Sequence, residues 1–261
     1  MPSIPSSPGL RFAFGTLSVL PVRVTRWDRG AARGGMLCAP LVGVVLGSAA
    51  GAAGLVLLVL GAGPLLAAVA SVAVPAALTR GLHLDGIADT ADGLGSGRPA
   101  EDALRIMKQS DIGPFGVITL LFVLLAQVAA VAEVFGGSGA RGAFAVVVSA
   151  VTARLALTSA ARTGVPAARP EGLGAAVAEV VPVRAAYGVC AGASLLAGVV
   201  GGLVLGPADG VRTGAAVLLG LAAAEGLLRR CVRRFGGVTG DVFGGLAETA
   251  ATVSLVVLAL G

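Results

Sequence analysis

Residues 114–134 read PFGVITLLFVLLAQVAAVAEV, a stretch with one acid, Glu133, and no base. About 20 apolar residues carry an α-helix across a bilayer core of about 30 Å, so this stretch predicts a membrane span. Working outward in both directions, comparable runs bounded by charge or Gly/Pro occupy 36–60, 64–79, 142–161, 185–206, 213–228 and 242–260. The second of these is short for a full crossing. The predicted fold is all-α, a polytopic integral membrane helical bundle of about seven transmembrane helices forming one domain over residues 1–261. A transmembrane β-barrel is excluded, because its strands alternate at period two whereas these runs are continuously apolar. Glycine-rich stretches such as GVVLGSAAGAAG at 43–54 suit close helix packing in lipid.

Composition agrees. Hydrophobic residues make up 56% of the chain and charged residues 13%, where a soluble domain carries about 25% charged. Mean hydropathy is +0.93. Disorder would need the opposite balance. Cys38, Cys190 and Cys231 lie far apart and suggest neither a bridge nor a metal-binding pair. The net charge of +5 does not mark a nucleic-acid binder, since the basic residues bracket apolar segments and no aromatic residues interleave them. Residues 10–22 are apolar but lack a clean cleavage site, and predict an interfacial helix rather than a signal peptide.

The basic residues are placed one-sidedly. The segments before the first span and after the second, fourth and sixth hold Arg11, Arg23, Arg26, Arg29 and Arg33, then Arg80, Arg98, Arg105 and Lys108, then Arg162, Arg169 and Arg184, then Arg229, Arg230, Arg233 and Arg234. The opposite segments hold only Arg141 and Arg212. By the positive-inside rule the amino terminus is expected in the cytoplasm.

The connection 80–113 holds six of the fourteen acids. Asp85, Asp89 and Asp92 stand at i, i+4 and i+7, within about a 60° arc of one helix face. Like charges so placed call for a cation. Mg²⁺ fits, being held by one or two carboxylates together with substrate phosphates. His83, the one histidine in the chain, lies about 160° away on the same helix; it is a candidate general base or a packed side chain. A second cluster, RRCVRRFGGVTGD at 229–241, sits on the same expected face. There the glycines, Gly240 among them, let backbone N–H groups approach an anion, Thr239 can donate to an oxygen, and Asp241 is either a metal ligand or a helix cap. Charges inside spans are Arg154, Glu133, Glu225 and Glu248, costly in lipid unless paired or lining a cavity; Arg154 is a candidate substrate contact.

At these residues the chain resembles a known family. GLHLDGIADTADGL at 81–94 is similar to the signature of cobalamin synthase, the adenosylcobinamide-GDP ribazoletransferase of vitamin B12 nucleotide-loop assembly. LRIMKQSDIGPFGV at 104–117, PAARPEGLG at 166–174 and RRFGGVTGDVFGG at 233–245 follow in order, and PLVGVVLG at 40–47 also agrees. The resemblance implies a Mg²⁺-dependent membrane transferase that joins adenosylcobinamide-GDP to α-ribazole, or its 5′-phosphate, and releases GMP. It places Mg²⁺ on Asp85, Asp89 and Asp92, with Asp89, Asp241 and His83 as candidates for the proton transfer. Lys108, Arg105 and Ser110 become phosphate contacts. One departure stands out: the family reads like MKDSRIG where this chain has Gln109 and, two residues on, Asp111. The implied setting is a bacterial cytoplasmic membrane, with the active face toward the cytoplasm and no nucleic-acid partner. A homo-oligomer, or an assembly with other enzymes of the pathway, is left open.

Two other classes compete. CDP-alcohol phosphotransferases also carry DG with spaced aspartates, but their DGxxAR pattern has Ala and Arg where this chain has Asp89 and Thr90, and no GxxxDxxxD follows it. A secondary transporter would place its ionisable groups near the bilayer midplane.

Overall fold

The structure is a computed structural model that describes residues 7–260, and among them it contains helices and two isolated bridges but no strand. In lipid every backbone polar group must be satisfied within the segment, which these apolar runs achieve as helices. Six are long enough to cross a membrane: α2 (Arg29–Val59), α6 (Pro114–Gly137), α7 (Gly139–Ala160), α9 (Val183–Leu205), α10 (Pro207–Phe235) and α11 (Gly240–Ala259). The expected short span is α3 (Pro64–Leu78), which bends by 88° into α4 (Leu82–Gly95). The amino-terminal interfacial segment is α1 (Pro8–Leu17), packed on α2 through buried Phe12 and Leu17. Two short helices, α5 (Ala100–Ile106) and α8 (Leu173–Val177), lie in the connections.

The spans overrun their apolar cores. α2 begins seven residues before the expected 36, because the Asp28 carboxylate accepts the Ala31 N–H at 3.0 Å and caps it there. α10 runs from 207 to 235 rather than 213 to 228, carrying Arg229, Arg230, Arg233 and Arg234 beyond the apolar segment on continuous helix. Hydropathy marks the lipid slab, whereas the helix ends where its caps are.

α7 is the central helix, with Thr152, Leu155 and Thr158 fully buried. α2 lies against it along Gly43, Gly47 and Gly51, where a Cβ at Gly43 would stand 2.5 Å from the Ala150 carbonyl oxygen and one at Gly47 2.8 Å from the Val147 Cα. This four-residue spacing lets the two backbones meet, as small residues do between helices in lipid. On the outside Phe122, Leu125, Leu195 and Leu203 are exposed, the reverse of a soluble core and the expected contact with acyl chains. Cys38, Cys190 and Cys231 are free thiols, as expected.

The turn between α3 and α4 uses two successive left-handed residues, Arg80 (φ 55) and Gly81 (φ 70). It swings α4 out of the span direction and lays it across the first turns of α6 and α11. α4 is thus set where α6 and α11 begin, and it is not among the six helices long enough to cross a membrane.

Candidate active site

α4 reaches α11 through two glycines. A Cβ on Gly86 would lie 2.6 Å from the Asp241 carbonyl oxygen, and one on Gly244 3.1 Å from the His83 Cα. Only bare backbones permit this approach. It sets Asp85 and Asp89 beside Asp241, so the two acidic clusters, some 150 residues apart in sequence, form one site. Burial, and then the charges of Asp85, Asp241 and Asp92, push the Asp89 carboxyl up to about 7, with Arg169 acting the other way.

The third member of the spaced triplet does something else. Asp92 is buried, and its two carboxylate oxygens accept the N–H groups of Gly113 (2.8 Å) and Gly116 (2.9 Å) at the start of α6. The expected three-aspartate ligand face thus contributes Asp85 and Asp89 to the cleft, while Asp92 lines neither cavity beside it. Free N–H groups at a helix start attract a carboxylate, and α4's last turns lie against that start. Among the described residues, no three His, Cys, Asp or Glu side chains converge to hold an ion without another donor.

In the glycine-rich turn, Thr239 rather than Asp241 caps α11: its hydroxyl accepts the Val242 N–H at 3.2 Å and donates to Asp241 Oδ2 at 3.1 Å. The segment 166–174 is pinned to this turn, with Val238 N–H donating to the Pro166 carbonyl and Ala168 N–H to the Val238 carbonyl, each at 2.9 Å. That pairing carries Arg169 to within 3.7 Å of Asp241. Arg169 also donates to the Leu104 carbonyl, tying α5 to the site. Of the expected phosphate contacts, Ser110 lines the larger cavity, flanked by Gln109 and Asp111. Lys108 is held 3.3 Å from Glu171, and Arg105 pairs with Glu101 and Asp102 on the exposed face of α5.

Arg154 lines a small interior cavity of about 60 Å³ with Gln127, Ser149 and Glu248, and His83 stands between that cavity and the smaller of the two beside the aspartates, lining both. Burial and the Arg154 charge push the imidazole down to about 3, so His83 is neutral. Its Nε2 and the Arg154 Nε and Nη2 are buried without hydrogen-bond partners. Gln127 Nε2 donates to Glu248 at 2.8 Å, while Glu225 pairs with Arg162 and Arg229, each at 2.9 Å.

Two residues on the cavity walls carried no chemical signal by spacing. Arg80 follows an apolar span and reads as a topology charge, and Trp27 belongs to no motif. The α3–α4 turn carries Arg80, and the segment leading into α2 carries Trp27, onto the larger cavity.

A helical bundle that spans a membrane several times and gathers carboxylates, a glycine-rich turn and two cavities at one end defines a class: a polytopic membrane enzyme with its site at one face. Residues 9–259 match the family described as Cobalamin-5-phosphate synthase, and the chain belongs to that family. A protein of Frankia casuarinae named adenosylcobinamide-GDP ribazoletransferase is 44% identical over 263 residues, covering 96% of this chain and 94% of its own length. Proteins of the same name from Nocardioides sp. and Pseudomonas aeruginosa (strain PAO1) are 40% and 37% identical, each covering 94% of this chain, and 95% and 94% of their own lengths. No solved structure matches the chain. The family is the one that the motifs at 81–94 and 233–245 resemble.

Proposed function

We infer that this chain is a membrane-embedded adenosylcobinamide-GDP ribazoletransferase, joining adenosylcobinamide-GDP to α-ribazole or its 5′-phosphate with release of GMP. Beyond family membership, the observation that carries this reading is the meeting of Asp85, Asp89 and Asp241 at the base of open cavities.

The donors suit Mg²⁺. All are hard carboxylate oxygens, burial together with the neighbouring acids raises Asp89 to about 7, and two carboxylates plus substrate phosphates are a common Mg²⁺ set. Asp85 and Asp89 would hold the ion, which when bound would neutralise charge on the departing GMP. Asp241 stands on the wall of the smaller cavity, oriented by Thr239 and Arg169, and takes the proton of the attacking ribose hydroxyl. His83 also lines the smaller cavity, but burial and then the Arg154 charge push its imidazole down to about 3, too weak a base to keep that proton, which leaves the role to Asp241. Arg169 offers a guanidinium to phosphate oxygens. With the basic residues concentrated at this end, the amino terminus and the site face the cytoplasm of a bacterial cell membrane.

The test is an assay in detergent with adenosylcobinamide-GDP, α-ribazole and Mg²⁺, following GMP and cobalamin by chromatography beside an EDTA control. Metal-dependent formation of both products is expected. Folded protein that makes neither with either ribazole form would overturn the reading. Turnover without a sealed vesicle separates the transferase from a transporter.

A further inference from the structure

Two cavities open on either side of Asp85, and they differ in size and chemistry. The larger, about 1280 Å³, is lined by Asp85, Asp89, Gln109, Ser110, Asp111 and Trp27, and Arg80 is the one basic residue among those on its wall. The smaller, about 270 Å³, joins apolar Leu17, Met36, Leu157, Val177, Val238 and Phe243 to polar His83, Asp85, Arg169, Glu171, Thr239 and Asp241. That volume lies just below the range of about 300–1,000 Å³ typical of small-molecule pockets, and a corrin macrocycle cannot enter it. An apolar wall joined to a polar end matches a nucleoside whose base is apolar and whose ribose carries the reacting hydroxyl.

Arg80 adds an independent observation. It is exposed and holds φ 55, a left-handed conformation that disfavours a side chain, at a turn that glycine would form without strain. A strained cation on a wall whose other charged residues are Asp85, Asp89 and Asp111 is placed to receive an anion.

We propose that the two substrates are partitioned across Asp85: the diphosphate-bearing donor occupies the larger cavity with its phosphates against Arg80, and the nucleoside acceptor occupies the smaller one with its base against Met36, Leu157 and Val177. This rests on the transferase reading. It brings the acceptor hydroxyl, beside Asp241, to the phosphorus from the smaller cavity while the GMP leaving group stays in the larger one, so that attacking and leaving oxygens lie on opposite sides of the phosphorus as in-line displacement requires.

The experiment is a pair of variants assayed against each substrate in turn. Arg80→Gly relieves the backbone while removing the cation, so the protein should be at least as thermostable as the parent. Its KM for adenosylcobinamide-GDP should rise at least tenfold, with the KM for α-ribazole within twofold. Val177→Phe narrows the smaller cavity and should do the reverse. Met36→Ala, which widens it, serves if the larger side chain prevents folding, and should raise the KM for α-ribazole at least fivefold. Trp27, the one tryptophan in the chain, supplies a readout without turnover: its fluorescence should respond to GDP in the parent, and the apparent Kd should rise at least fivefold in Arg80→Gly. Active parent enzyme in which both variants change the same KM, or in which Arg80→Gly leaves both KM values and the GDP response unchanged, overturns the partition. An inactive parent instead overturns the transferase reading.

Discussion

The carboxylate of Asp92 accepts the backbone N–H of Gly116 at 2.9 Å, and a Cβ on that glycine would lie 2.5 Å from the same carboxylate. One aspartate of an evenly spaced acidic triplet is thereby committed to joining α4 to α6. Asp92→Ala should lower stability by about 1–3 kcal/mol, since it removes a helix cap and leaves buried N–H groups unpaired. Thermal unfolding in detergent checks this. The folded fraction should retain metal-dependent turnover, whereas Asp85→Asn should remain folded and lose it.

Asp89 gives a pH dependence with a definite sign. Its carboxyl is raised from an ordinary value near 4 to about 7, so the folded state holds a proton that the unfolded chain has released. The stabilising contribution is complete below about pH 4 and is lost as pH rises toward 7. Metal-free protein should therefore unfold at a lower temperature at pH 8 than at pH 5. Asp89→Asn should flatten this trend and abolish turnover without loss of folded protein. A variant that stays active would sink the assignment of Asp89 to the metal.

Asp241→Asn should reduce kcat by about 10²- to 10⁴-fold, the range for loss of a proton-transfer group, with little change in either KM. The amide can still take the Thr239 hydrogen bond, so helix α11 should keep its cap. Steady-state kinetics on the two substrates separate this from a binding defect.

Gly86→Ala places a methyl where the Asp241 carbonyl oxygen stands 2.6 Å away. Overpacking of this kind costs about 1–3 kcal/mol, and here it also parts α4 from α11. Activity should fall more steeply than stability, because Asp85 and Asp89 move away from Asp241. Parallel unfolding and turnover measurements on this one variant test the point.

The interior cavity supplies a further check. Arg154 and Glu248 attract one another across it, and Gln127 donates to the Glu248 carboxylate. Glu248→Leu should destabilise strongly by leaving Arg154 without that charge. Combining it with Arg154→Met should restore part of the loss, with a coupling of about 0.5–3 kcal/mol in a double-mutant cycle.

Six of the spans and the one-sided arginines were legible because lipid imposes a length and a polarity on each segment separately, without reference to its neighbours. The acids at 85, 89 and 92 and the turn at 236–241 were legible for the same reason: helix periodicity and glycine's backbone freedom act over a few residues. The helix ends were less so, since caps such as Asp28 extend α2 into charged sequence where hydropathy has already fallen.

What each acid does was decided by contacts between segments. Spacing puts Asp85, Asp89 and Asp92 on one face, but it does not tell which part of that face meets the first turn of α6 and which meets Asp241. Arg154 and His83 read as site candidates, and the packing of α4 on α11 and α6 sets His83 between the smaller cavity and the interior one that it shares with Arg154. Arg80 reads as a topology charge until a bend of 88° brings it to the cleft. The sequence by itself determined the solvent of each segment, a local property set by side-chain transfer energies. The tertiary structure alone decided the partners of each charge, because those partners lie far along the chain and meet where glycines let the backbones touch.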